Sequence, residues 1–212
     1  MLFTNQFVVT FIVSRIGTGI LNYLMMNFAK LHKKSEMIEK KFENVDILCI
    51  VINMFVETAF LVHISNTYAH FTPVRFVIPT VFIRVVTLYI VDDFLYSPYH
   101  YFLHRPLLYR YIHSIHHKVS HPYKGYLHAV MEHPLEMIGA LYLHLLSLYL
   151  VDIVLSIDIF SIYLHVTLKA CLAFLNHSGH EIELSFLHYK SIAHHIHHRY
   201  RTKNYHQNLK LW

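Results

Sequence analysis

Apolar residues run along this chain in five blocks, at about 3–29, 46–66, 74–96, 135–157 and 159–176, with polar segments between them. Each block approaches the ~20 residues that a helix needs to cross a bilayer core. Arg15, Glu57, Arg84, Asp152 and Lys169 interrupt the blocks. The last two are short enough to form a re-entrant hairpin, so the pattern predicts four or five membrane-embedded helices. With only five glycines and no repeats or low-complexity tracts, the chain reads as helices joined by short polar turns. One domain over 1–212 is expected, with 1–96 mainly a membrane anchor and 97–212 a histidine-rich part that carries the chemistry.

Composition supports a membrane assignment. Hydrophobic residues make up 55% of the 212 and charged residues 15%, and the mean hydropathy is +0.36. A water-soluble domain of this size would expose large apolar patches. The expected fold is therefore an all-α integral membrane protein with a histidine-rich helical cap. Lysine and arginine concentrate in 30–44, 97–134 and 177–212 and are absent near 67–73 and 152–158. Cytosolic loops hold such excesses, which puts the cap on the cytosolic side. The net charge of +5 follows from this asymmetry and from anionic headgroups, and no nucleic-acid motif accompanies it. Cys49 and Cys171 fall inside apolar blocks and read as small core residues. The first block has no basic stretch before it and no small-residue cleavage site, so a retained anchor is expected.

Glu57 and Arg84 each lie ten or eleven residues into their blocks, near mid-membrane at ~1.5 Å per residue. Unpaired charge there is costly. Adjacent antiparallel helices are expected to pair the two.

Of the 21 histidines, fifteen fall in 100–133 and 177–198. His100 and His104 are four apart; His113, His116 and His117 form H-x-x-H-H; His194, His197 and His198 form it again; His177 and His180 lie between. On a helix, positions i, i+3 and i+4 are neighbours, so each cluster is expected to point two or three imidazoles one way. Both blocks sit at the ends of apolar spans and converge on one place. Ten histidines exceed the four to six ligands of one ion, whereas two metals could use them. Imidazole suits iron, zinc, copper or nickel alike. His63, His144 and His165, alone in apolar spans, are read as hydrogen-bonded within the bundle, and His32, His70 and His206 as polar surface.

The segments H-Y-F-L-H-R at 100–105, Y-R-Y-I-H-S-I-H-H at 109–117, H-P-L-E at 133–136, N-H-S-G-H at 176–180 and A-H-H-I-H-H at 193–198 resemble, in order and spacing, the fatty acid hydroxylase superfamily of sterol desaturases, methylsterol monooxygenases and fatty-acyl hydroxylases. The resemblance covers about 92–208. It implies an endoplasmic-reticulum-type membrane oxidoreductase whose ten histidines hold two iron ions, with zinc possible in a purified sample. Such enzymes use O2 and electrons from a separate cytochrome b5 or its reductase to hydroxylate or desaturate a sterol or fatty-acyl C–H bond. In the resemblance Asp93 matches an acidic position that would orient a ligand imidazole, the competing reading being that Asp92 and Asp93 simply end a membrane span in water, and His133, with Glu136, would support the site or brace the next span. His195 fills a variable slot and is not expected to ligate. Relatives have a glycine after the Asn-Tyr pair, where His206 stands here, and a longer tail, so a looser cover over the metals is expected.

Two competing functions share these features. A metal transporter would also carry clustered histidines, but at mid-bilayer along a pathway and not at the ends of spans. A catalytically inactive relative would bind lipid or protein, yet would have no need to retain so many imidazoles at the mouth of a bundle.

Overall fold

The computed structural model describes residues 5–35, 40–68, 78–185 and 189–205. His70 and His206 lie outside them. Five long helices dominate: α1 Asn5–Ala29, α2 Asn44–Tyr68, α3 Ile78–Leu103, α6 Pro134–Leu155 and α7 Ile159–Asn176. Between α3 and α6 lie the short helices α4 Pro106–Leu108 and α5 Tyr126–Ala129, with a π-turn over Tyr109–His113 and a 3-10 turn over His116–Lys118. α8, Ser191–Tyr200, completes the helical part. Four of the helices, α1, α2, α6 and α7, are long and apolar enough to cross a membrane. α3 is as long, but carries Arg84, Asp92 and Asp93.

The helix boundaries follow from local chemistry. Pro134 begins α6, where its missing N–H is not needed, and His133 caps that end by accepting from the Leu135 N–H through Nδ1 at 3.1 Å. Ser156 ends α6 in the left-handed conformation at φ 47°. Asp152, an interruption in the apolar pattern, accepts from the Ile157 N–H at 2.7 Å. Asp158 then caps α7 through the Ser161 N–H at 2.9 Å. Two full helices joined by this tight turn replace the re-entrant hairpin.

The long helices form a closed ring in which α2 packs on α1 and α6, α3 on α6 and α7, and α7 on α1. Consecutive helices α2 and α3 are therefore separated by α6, and the expected Glu57–Arg84 pair does not form. Glu57 instead binds Arg15 of α1 at 2.9 Å, and Arg84 binds Asp158 at the α6–α7 turn at 2.8 Å. The outward faces are apolar; Val9, Ile12, Ile16, Phe82, Tyr142 and Ile153 are all exposed, as a bilayer-facing surface requires. Inside, Ile64, Leu88, Leu148 and Ile162 are wholly buried in one cluster far from the histidine end.

Two ladders too short for a periodicity signal tie the histidine end together. β1, Lys33–Lys34, pairs antiparallel with β2, His180–Glu181, and β3, Glu183–Leu184, with β4, Tyr189–Lys190. The first docks the end of α1 beside the end of α7, and Lys33 reinforces it through Glu181 at 2.9 Å. Gly125 sits at φ 54° against Asn22 and Met26 of α1, where a Cβ would collide with both. Its N–H donates to the His177 carbonyl at 2.9 Å, fixing the 119–130 segment against the end of α7.

Candidate metal centre

Nine of the ten candidate histidines come together in two groups. His100, His104, His113, His117 and His197 form the first; His116, His177, His194 and His198 form the second. Within each group the ligand nitrogens lie within 4.8 Å of one another. All nine are buried except His104, which is half-buried. The groups adjoin, with the ring of His117 in the first 4.7 Å from that of His198 in the second, and the rings of His113 and His116 5.6 Å apart.

Each H-x-x-H-H motif is divided between the groups. His113 and His117 enter the first while His116 enters the second; His194 and His198 enter the second while His197 enters the first. On α8, i and i+4 differ by about 40° whereas i+3 falls on the opposite side of i by about 60°, so His194 and His198 part from His197; between the π-turn and the 3-10 turn, 113–117 makes the same division. The expectation that each cluster points one way is thus replaced by an interlocked arrangement. In it, α8 and the 113–117 turn each contribute to both groups. The π-turn ends at His113, with the Ser114 N–H reaching back to the Tyr109 carbonyl at 2.8 Å.

The hydrogen bonds at the rear of the rings fix the tautomers. His100 Nδ1 contacts the Tyr205 carbonyl at 2.8 Å, His197 Nδ1 that of Lys203 at 2.7 Å, His198 Nδ1 that of Val119 at 3.0 Å and His177 Nδ1 that of Ala173 at 2.8 Å. A carbonyl only accepts, so these Nδ1 atoms carry the protons and the Nε2 atoms present lone pairs. Those Nε2 atoms converge. In the first group His100–His113, His104–His113, His113–His117 and His100–His197 approach at 3.0, 3.0, 3.1 and 3.1 Å. In the second, His194 meets His177 at 3.2 Å and His198 at 3.0 Å.

Lone pairs facing one another repel unless a cation lies between them. A metal–nitrogen distance of about 2.1 Å with ligands at right angles gives edges of about 3.0 Å, so the donor set fits metal ions in both groups. Burial reinforces this by holding the imidazoles neutral. The His113 and His177 pKa values fall to about 3, and His104 reaches the same value through burial and the neighbouring His113, His197 and Arg201.

Glu136 is the carboxylate behind the first group. Its Oε1 lies 2.7 Å from His113 Nδ1, and both side chains are buried. Glu132, Glu136 and His116 offer ligand atoms within 4.8 Å of one another. Burial, with Glu136 beside it, holds the Glu132 carboxyl well above the usual range. Asp93 is fully buried on α3 about two turns before His100. His133 is the α6 cap and positions the helix that carries Glu136. His180 lies in neither group. Its Nδ1 contacts its neighbour's carbonyl, on Ser178, at 2.9 Å, and its backbone pairs with Lys34 in the β1–β2 ladder. His195 faces away, with Nδ1 3.3 Å from Ser35 Oγ. The tail covers the first group as far as it is described, since the Tyr205 ring stands 5.0 Å from that of His104.

Below the second group, a cavity of 270 Å³ runs along the axis of the helix ring. His116, His177 and His194 border it, and Phe60, Leu61, Met137, Leu141, Val166 and Phe174 give it an apolar wall. Deeper in, Lys169 and His144 flank Asp92, with His144 Nδ1 3.0 Å from its carboxylate. His165, read from sequence as hydrogen-bonded, stacks on His144 at 5.0 Å, and neither of its ring nitrogens has a partner among the described residues.

Comparison with known proteins gives this arrangement a lineage. The C-4 methylsterol oxidase erg25 of Schizosaccharomyces pombe is 28% identical over 159 residues, 69% of this chain. The chain spans about half of that relative, 50% of its length. No solved structure gives a significant match. The profile of the fatty acid hydroxylase family matches residues 85–212, which is more than half of the chain and includes every histidine of both groups. By that match the chain belongs to the fatty acid hydroxylase family.

Proposed function

We propose that this protein is a membrane-bound lipid oxygenase with a dinuclear iron centre, which uses O2 to hydroxylate or desaturate a C–H bond of a sterol or fatty-acyl lipid. One observation carries the reading: of two adjoining sets of convergent imidazole nitrogens, the second borders a largely apolar cavity inside a membrane bundle. In the first set, His100, His104, His113, His117 and His197 would hold one iron; in the second, His116, His177, His194 and His198 would hold the other. Bound iron supplies the redox chemistry that lets O2 attack an unactivated C–H bond.

The chain's own residues do the rest. Backbone carbonyls and Glu136 hold ring N–H groups and so aim the opposite nitrogens. Phe60, Leu61, Met137, Leu141 and Val166 exclude water and accept hydrocarbon. Glu132 stands at the cavity wall beside His116, where burial and the neighbouring Glu136 raise its pKa. Electrons would come from a separate cytochrome b5 or reductase. The basic residues around the histidine end, among them Lys30, Lys33, Lys118 and Arg199, support a cytosolic orientation in an endoplasmic-reticulum-type membrane.

The test is lipid analysis of cells that express the full chain, or its His197→Ala, His198→Ala double variant, under 18O2 with a compatible reductase. The reading expects label in a sterol or acyl chain, or a new double bond without label, with the intact chain alone. Identical lipids from both would overturn it.

A further inference from the structure

Three polar side chains in the upper cavity come from outside the histidine motifs. Arg15 of α1 and Glu57 of α2 precede the family match at residues 85–212, and Tyr126 follows the Gly125 turn. Arg15 Nη1 lies 2.9 Å from Glu57 Oε2, and the Tyr126 hydroxyl donates to the same oxygen at 2.8 Å. All three line the cavity. Glu57 Oε1 makes no hydrogen bond among the described residues, while the side chain stays 24% exposed. An accepting oxygen is therefore open to whatever enters. The cluster is also close to the second histidine group, because the Gly125 N–H is bonded to the His177 carbonyl at 2.9 Å.

The charge in the wall decides what enters. Arg15 is matched by Glu57 and Lys169 by Asp92, which leaves neither cation free. A lipid carboxylate would lose its water to face the Glu57 and Asp92 carboxylates, with both cations already engaged. A plain hydrocarbon would leave Glu57 Oε1 without a donor. A hydroxyl satisfies it.

We infer that Arg15, Glu57 and Tyr126 form a recognition point for a hydroxyl group, so that the cavity selects neutral lipid alcohols over lipid carboxylates and unfunctionalised hydrocarbons. This rests on the cavity being the lipid site proposed above. Glu57 is the specificity-determining acceptor, and Arg15 and Tyr126 hold it in place.

Equilibrium binding to the iron-loaded full chain in detergent tests this, with two matched sets of probes: hexadecanol, hexadecanoate and hexadecane, and cholesterol with cholest-5-ene. In the set that binds, the alcohol should win by about 10-fold or more, the worth of a hydrogen bond to a charged group. The Arg15→Met, Glu57→Leu double variant removes both charges together and should bring the preference within about 2-fold, with iron content unchanged. Should that variant lose iron, Tyr126→Phe serves instead and should reduce the preference without changing iron content. Tighter binding of hexadecanoate, or a hydroxyl preference that survives these substitutions, would overturn the inference while leaving the oxygenase reading intact. Binding of no probe to iron-loaded protein would overturn it too, whereas label incorporation under 18O2 judges the oxygenase separately.

Discussion

Single side chains decide how sharply the histidines are aimed. His113 touches three other Nε2 atoms of the first group, and its rear nitrogen rests on Glu136 at 2.7 Å. Replacing Glu136 with alanine removes the acceptor that fixes this ring. Iron affinity of the first group should fall about 10–100-fold, as for other outer-sphere carboxylates, and Glu136→Gln, which still accepts, should recover part of the loss. Competition with a chelator reads both.

A second histidine acts by staying neutral. His128 Nδ1 accepts from the Tyr123 and Lys124 N–H groups at 3.0 and 3.3 Å, and burial, aided by Lys124, lowers its pKa to about 4. In the unfolded chain it titrates near 6.5. Above that pH the ring is neutral in both states and contributes no pH dependence. As pH falls from about 6.5 toward 4 the unfolded chain takes up the proton first, and stability drops by about 1.4 kcal/mol per unit. His128→Asn keeps an acceptor that does not titrate. The stability advantage of the natural chain over this variant should therefore shrink by about 2 kcal/mol between pH 7 and pH 5, measured by denaturation in detergent.

Among the elements, the ring order of the helices matters most. Arg84 clamps α3 to the α6–α7 turn through Asp158 and the Leu155 carbonyl at 2.8 and 3.2 Å. Both charged side chains are about 10% exposed or less. Arg84→Met takes the cation from a carboxylate that still accepts from the Ser161 N–H and hydroxyl, and should cost about 1.5–3 kcal/mol, the worth of a hydrogen bond to a charged group. Adding Asp158→Asn, which still caps α7, should restore much of that, as thermal unfolding of the three proteins would show.

This clamp was not legible in the sequence. Glu57 and Arg84 were matched there by depth alone, and depth does not say that α6 separates α2 from α3. The long helices themselves were legible, because their apolar runs are long, although α3 continues past its apolar block through His100 to Leu103. The two H-x-x-H-H motifs were legible for the same local reason. Their division between two groups was not, since it depends on α8 meeting the 113–117 turn in space. The two-residue ladders leave no periodic trace at all. His180 shares the motif spacing of its neighbours, yet the β2 pairing turns it away from both groups.

At the scale of the whole molecule, the bundle is a membrane scaffold whose histidine end is closed by short polar elements and whose axis holds a cavity reaching up to those histidines. The apolar wall, the Arg15–Glu57 and Lys169–Asp92 pairs and three histidines of the second group border one cavity. A structural bundle needs no such column of polar residues, and in a membrane their cost is high. The account stands on the two histidine groups being two ion sites. Iron content of the purified full chain, reconstituted with ferrous iron without oxygen and freed of loose metal, tests this directly. Two iron ions per chain are expected, with the second equivalent lost when His194 is replaced by alanine and the first when His113 is replaced. One ion or none per chain, or two ions retained after both substitutions, would contradict the account.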